Sequence, residues 1–278
     1  MLTTVDHRRD SAGLIYVYPV ISRRAGGVSV GINLNINNAC NWACVYCQVE
    51  NLTRGGPPPL DLDLLEQELA NFLEDALHGD FMAQHVPLEA RQLMDVAFSG
   101  NGEPTSAPEF AEAIERVIGV LKRFELQEKL IVRLITNGSL MHKSEVQRGI
   151  DALGEVGGEV WFKLDRAQVA AVAEINGVPL QIDKVIRHLD ICSGLASTWV
   201  QTCWFEFDGK PPDAAAEMAY CNLLKPFANK LSGIHLYGLA RPSMQPAAPR
   251  LKRIDPEALA RFGEFVQKET GIKVLVSP

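Results

Sequence analysis

From residue 28 onward the chain alternates short apolar runs with longer stretches of helical spacing. Val28 to Asn37 alternates and is rich in β-formers. Between Asp61 and His78, Leu65, Leu69, Phe72, Leu73, Ala76 and Leu77 recur at three- and four-residue steps, which places them on one helix face. Asp63 with Glu66 predicts the start of that helix and Gly79 its end. The pattern then repeats. Met94 to Phe98 reads as a strand, and Ser106 with Glu109 resembles a capping box before a helix carrying Phe110, Ile114, Val117, Ile118 and Leu121. Leu130 to Thr136 is followed by a helix near Lys143 to Leu153. Val160 to Leu164 is followed by one with Ile182, Val185, Ile186 and Leu189. Ser197 to Phe207 precedes a helix from about Asp213 to Lys225, stopped by Pro226. Gly233 to Leu239 precedes one capped by Asp255 with Pro256 at its first position, and Lys273 to Val276 closes the chain as a strand.

Strands alternating with helices imply parallel pairing through crossovers. Six strand–helix units are too few for a closed eight-fold barrel and predict an open or partial one, unless Leu14 to Val20 adds a strand. The expected organisation is an extension over 1–27 and one α/β domain over 28–278. Its site is expected at the C-terminal ends of the strands.

Composition narrows the classes. A hydrophobic fraction of 47% and a charged fraction of 22% over 278 residues are those of a globular protein. Long apolar spans and a secretory leader pattern are missing from the sequence, which predicts a cytoplasmic protein with no membrane segment. The net charge of -7 disfavours general nucleic-acid binding without excluding a specific RNA. Basic pairs at Arg8-Arg9 and Arg23-Arg24 and the cluster from Arg250 to Arg253 read as solvated surface charge.

Three of the six cysteines, Cys40, Cys44 and Cys47, form C-x3-C-x2-C directly after the first strand. Structural zinc prefers four ligands, and no fourth Cys or His lies nearby. Three thiolates suit three corners of a four-iron cluster and leave one iron open. The second strand ends in Ser99-Gly100-Asn101-Gly102-Glu103-Pro104-Thr105. Glycines there admit a close ligand, and Glu103 can accept from an ammonium group. Cys192, Cys203 and Cys221 read as buried structural residues.

With Tyr46 as the aromatic, the cysteine run resembles the C-x3-C-x-aromatic-C signature of the radical S-adenosylmethionine (SAM) superfamily. Gly100 to Glu103 resembles its glycine–glycine–glutamate motif, interrupted by Asn101. The resemblance runs from about Val28 to Leu239. It implies a partial (β/α)6 TIM-like barrel, a [4Fe-4S] cluster on Cys40, Cys44 and Cys47, and SAM chelated at the open iron. It further implies that Gly100, Asn101, Gly102 and Glu103 surround the SAM amino group and that Tyr46 lies near the adenine. Asn137, Lys163 and Asp165, at the next two strand ends, are candidate SAM contacts. Gln201, Glu206, Tyr237 and Arg241 are candidate substrate residues. Tyr237 to Ser243 resembles the corresponding strand of the wyosine-synthase-like branch, although a second N-terminal cysteine set is absent from the sequence.

The implied reaction is reductive cleavage of SAM to a 5'-deoxyadenosyl radical, which abstracts hydrogen from a substrate the sequence does not name. An external one-electron donor such as flavodoxin or ferredoxin is expected. Two other readings stay open: a glycyl-radical-enzyme activase acting on a protein, and a non-enzymatic iron–sulfur or zinc protein.

Overall fold

A computed structural model describes residue 2, residues 13–22 and residues 26–278. Arg8, Arg9, Arg23, Arg24 and much of the expected 1–27 extension lie outside the described residues. Eight strands form one sheet in chain order: β1 (Val17–Ser22), β2 (Gly27–Ile32), β3 (Leu93–Phe98), β4 (Ile131–Thr136), β5 (Glu159–Lys163), β6 (Ser197–Cys203), β7 (Gly233–Tyr237) and β8 (Val274–Ser277). β1 runs antiparallel to β2; every later neighbour pairs in parallel. β1 and β8 are the two edges, so the sheet is a partial barrel, not a closed ring. The segment around Leu14 to Val20 does add a strand, and the last strand joins the parallel series.

Each parallel step carries helix. α1 (Leu62–His78) joins β2 to β3, α2 (Phe110–Arg123) β3 to β4, and α3 (Ser144–Glu155) β4 to β5. α4 (Val169–Asn176) and α5 (Ile182–Leu195) join β5 to β6, α6 (Ala214–Leu224) β6 to β7, and α7 (Pro256–Thr270) β7 to β8. α4 was not expected from the sequence: it is short, and Ala-Gln-Val-Ala-Ala-Val offers little amphipathic contrast.

Capping differs from expectation at two starts. Asp61, not Asp63, caps α1 by accepting from Leu64 N at 2.9 Å. Asp63 and Glu66 instead pair with Arg116 of α2. Ser106 and Glu109 form no capping box: the Ser106 hydroxyl donates to the Glu103 carbonyl at 2.6 Å inside a 3-10 turn, and Glu109 makes no cap bond. α7 follows the sequence, with Asp255 accepting from Ala258 N and Gly271 left-handed at its end.

Strand alternation decides where the site lies. Val30, Ile32, Val96, Phe98, Val132, Leu134, Val160, Phe162, Val200, Ile234 and Leu236 are buried in the core beneath the helices. Residues between them point the other way: Ser29, Asp95, Arg133, Trp161, Lys163, Gln201 and Tyr237 line a cavity. A parallel sheet covered on both faces reads as continuous apolar strands. These strands alternate, so their second face lines a chamber of mixed polar and apolar character.

Candidate functional site

The chamber encloses about 730 Å³ and is bordered by the cysteine loop, the Ser99–Glu103 segment and the ends of β5, β6 and β7. Cys40, Cys44 and Cys47 all border it and are partly exposed; Cys192, Cys203 and Cys221 are buried, and no cysteine is in a disulfide. Cys203 also reaches the chamber wall.

Asparagines shape the loop that leaves β2. Asn33 Oδ1 accepts from Asn35 N at 3.1 Å and from Asn101 N at 3.0 Å. Asn35 Nδ2 donates to the Ala39 carbonyl at 3.0 Å, and Asn38, with φ of 56°, accepts from Asn101 Nδ2 at 2.7 Å. Asn tolerates the left-handed region and bonds nearby backbone, which suits a loop that must turn without regular structure. The glycines of the Gly100 to Glu103 turn are explained by contact with this loop. A Cβ on Gly100 would lie 2.2 Å from Asn33 Oδ1, and one on Gly102 would lie 2.1 Å from the Ala39 carbonyl.

Two distant segments hold the cysteine run. The end of α4 accepts from Ala43 N and Val45 N through the Asn176 and Ile175 carbonyls at 3.1 and 2.8 Å. Asn176 Nδ2 donates to Cys44 Sγ at 3.3 Å. On the other side, Ser243 Oγ donates to the Val45 carbonyl at 2.7 Å, Met244 N to the Cys47 carbonyl at 2.9 Å, and Gln245 Nε2 to the Val49 carbonyl at 2.7 Å. For the protein alone, burial pushes the Cys40 thiol up to about 11. Burial, reinforced by Asp165, pushes Cys44 up to about 12. Metal binding at these sulfurs therefore releases protons.

Glu103 is buried and heavily engaged. Oε1 accepts from Thr105 N at 3.2 Å, Thr105 Oγ1 at 2.6 Å and Thr136 Oγ1 at 2.6 Å, and Oε2 accepts from Asn137 N at 2.6 Å. Burial raises its pKa and these donors oppose the rise. A carboxylate has about four acceptor sites, mostly used here on Oε1; Oε2 retains room for one more donor. Asn137 is likewise occupied, donating to Asn41 Oδ1 at 2.8 Å and accepting from Ser139 N at 3.0 Å.

At the β5 end, Asp165 accepts from the Tyr46 hydroxyl, from Asn176 Nδ2 at 2.8 Å and from Cys203 N at 2.9 Å. It thus acts behind the chamber wall. Lys163 Nζ donates to the Tyr237 hydroxyl at 3.1 Å and lies 5.1 Å from the Tyr46 ring centre. Burial opposes its charge, but Tyr237, Asp165 and Cys44 outweigh that and raise its pKa. Arg241 donates to Gln48 Oε1 at 3.1 Å, next to the cysteine run. Tyr46, Gly100, Asn101, Gly102, Glu103, Asn137, Lys163, Gln201, Tyr237 and Arg241 all border the chamber. Glu206 does not: it lies on the short strand Phe205–Phe207, outside the main sheet, with Lys252 at 3.5 Å.

Three participants were not read from the sequence. Asn176 comes from the unexpected α4. Asp95 and Arg133 lie inside strands that were read as apolar runs. Ser29 and Arg133 bond to Asp95, and Arg133 Nε reaches Glu159 at 3.0 Å. Burial raises the Asp95 pKa against the pull of Ser29 and Arg133. Polar residues at alternate strand positions were the available signal.

A radical SAM methyltransferase from Sphaerobacter thermophilus superimposes with a TM-score of 0.60 at 17% identity, covering 94% of this chain and 68% of that one. The fold is that of the radical SAM enzymes. The [FeFe]-hydrogenase maturase HydG matches at a TM-score of 0.53 and 12% identity, over 88% of this chain and 50% of that one. An anSMEcpe structure with bound AdoMet and the Cp18Cys peptide matches at 0.51 and 15%, over 85% and 60%. This radical SAM fold thus spans half to about two thirds of those chains. No family model matches the sequence. Among curated proteins, a GTPase Obg from Brachyspira hyodysenteriae (strain ATCC 49526 / WA1) is 28% identical over 132 residues, 46% of this chain and 16% of that protein. The sequence has no G-x-x-x-x-G-K-[ST] phosphate loop, so that name carries no activity here.

Among the described residues, no three Cys, His, Asp or Glu side chains converge closely enough to share one metal ion. Cys40, Cys44 and Cys47 border one chamber, and three thiolates are a donor set that the separate irons of a four-iron cluster can use.

Proposed function

We propose that the chain is a radical SAM enzyme. Cys40, Cys44 and Cys47 would hold a [4Fe-4S] cluster, and SAM would bind at its open iron. When bound, this pair supplies reductive carbon–sulfur cleavage and a 5'-deoxyadenosyl radical that takes hydrogen from a substrate. The carrying observation is that the cysteine loop and the Gly100 to Glu103 turn border one chamber at the C-terminal ends of a partial barrel.

The chain's own groups divide the remaining work. The turn presents backbone and Glu103 Oε2 to an ammonium group. Lys163 presents a cation to a carboxylate or ribose. Asp165 acts indirectly, by fixing the Tyr46 hydroxyl and Asn176. The walls exclude water and competing hydrogen donors. An external one-electron donor of the flavodoxin or ferredoxin kind would reduce the cluster. Tyr237 to Ser243 supports the finer placement near the wyosine-synthase-like branch, while the net charge of -7 argues against transfer RNA as substrate.

The test is anaerobic reconstitution with iron and sulfide, dithionite reduction and measurement of 5'-deoxyadenosine. Wild type is expected to cleave SAM, and Cys44→Ala to lose both cluster absorbance and cleavage. Full cleavage by that variant would refute the assignment.

A further inference from the structure

Gln201 stands on β6 between Lys163 of β5 and His235 of β7, in register with both. The residue is 7% exposed and its side chain borders the chamber. Among the described residues its amide has no hydrogen-bond partner. Its neighbours differ: Lys163 is bonded to Tyr237, and Thr202 to Leu164 and Tyr220. The amide is not among the sealed unsatisfied groups; it opens on the chamber, where a ligand can meet both its donor and its acceptor.

We propose that Gln201 reads the substrate, and that the group it reads carries an N–H and a C=O side by side on a flat ring, as in a lactam or a pyrimidine. The amide offers both a donor and an acceptor. A carboxylate would use the donor and strand the acceptor; an ammonium would do the reverse. A cis-amide edge uses both. Lys163 beside it keeps its charge and one bond to Tyr237, and the proposed function already gives that charge a carboxylate or ribose of SAM, so Gln201 is left to read a neutral group. The ring follows from the next layer inward, where Trp161 borders the chamber and packs on His235 at 4.6 Å. An unsaturated ring packs well on such a wall.

This inference rests on the chamber being the substrate site of the proposed enzyme, but its test needs neither cluster nor SAM. Binding of uracil, 1,3-dimethyluracil and benzoate to the full chain is measured by ligand-observed NMR, for wild type and Gln201→Met. Uracil is expected to bind wild type, with the other two probes about tenfold weaker or more, since losing one such bond corresponds to about that factor. Gln201→Met is expected to lose uracil binding by a similar factor while its melting temperature stays level, because the amide replaced makes no hydrogen bond within the described residues. Four results would each overturn the proposal: no uracil binding to wild type, equal binding of the dimethyl compound, preference for benzoate, or unchanged uracil binding by the variant. A fall of several degrees in the variant's melting temperature would assign Gln201 to the fold instead. Failure of SAM cleavage leaves these readouts intact, so the two ideas fail separately.

Discussion

The Asn176 amide donates to Cys44 Sγ at 3.3 Å and to Asp165 Oδ2 at 2.8 Å, joining the middle cysteine to the carboxylate that also receives the Tyr46 hydroxyl. Hydrogen bonds to cluster sulfur favour the reduced, more negative state and raise its potential. Asn176→Ala is therefore expected to keep its iron after reconstitution and to show a lower midpoint potential in an EPR-monitored redox titration. Unchanged potential with full iron would show that the amide serves loop geometry alone.

Glu103 has a larger structural share than its sequence context suggests. Removing its carboxylate leaves the Asn137 N–H and the Thr105 and Thr136 donors without their acceptor. Each buried unmet group costs about 1–3 kcal/mol. Glu103→Ala should lose about 3 kcal/mol or more in urea unfolding, in addition to any loss of SAM affinity. A variant of wild-type stability that fails only in SAM binding would contradict the hydrogen-bond count.

Glu68 of α1 accepts from Ile15 N at 2.8 Å and, through Oε2, from Tyr16 N at 2.8 Å and Val17 N at 3.2 Å. One carboxylate thus anchors the chain entering β1 to the helix behind it. Glu68→Ala should cost about 2–4 kcal/mol, from charge-assisted bonds of about 1.5–3 kcal/mol each partly recovered by water. Hydrogen exchange should rise first at residues 15–17; exchange spread evenly over the sheet would argue against a local anchor.

His188 supplies a pH signature. It is buried on α5, donates from Nδ1 to the Gly138 carbonyl at 2.8 Å and stacks on His142 at 5.4 Å between ring centres. Burial lowers its pKa, the Gly138 bond opposes this, and His142, Arg187 and Lys184 lower it further. The folded value lies below the unfolded one, so the stabilisation is whole above the unfolded pKa of about 6.5 and is lost as pH falls towards the folded value. His188→Asn, which keeps a donor at the Nδ1 position, should flatten the decline in unfolding free energy between about pH 7 and 5. Parallel wild-type and variant profiles would remove His188 from that decline.

The sequence was most readable where one physical rule acted alone. Short apolar runs located β3, β4, β5 and β7, and 3.6-residue periods located most of the crossover helices, because those segments bury one continuous core. Asp255-Pro256 marked the start of α7, since no rival partner competes for that carboxylate. Readability failed where tertiary partners intervened. Arg116, brought in from α2, recruits Asp63 and Glu66 and leaves Asp61 to cap α1. Glu103 diverts Ser106. For the site, sequence motifs named the cysteines and the Gly100 to Glu103 turn; Asp95 and Arg133 were passed over, although as polar interruptions of strands they left a signal. Asn176 left none, because its importance comes from a contact 132 positions away in the chain. Glu206 was misleading: the chain leaves the main sheet after Cys203, which carries the next three residues away from the chamber.

The clamping of residues 43–49 by Asn176 on one side and by Ser243, Met244 and Gln245 on the other has a temporal consequence. Asn176 lies 132 positions beyond Cys44 and Ser243 198 beyond Val45, so during synthesis the bracing residues leave the ribosome well after the sulfurs they brace. The nascent thiols stay unshaped until nearly the whole barrel has wound up. Under the proposed function, a protein that donates the cluster would meet a braced loop only on the finished barrel, and a chain ending before residue 243 would leave one wall of the receiving loop unbuilt.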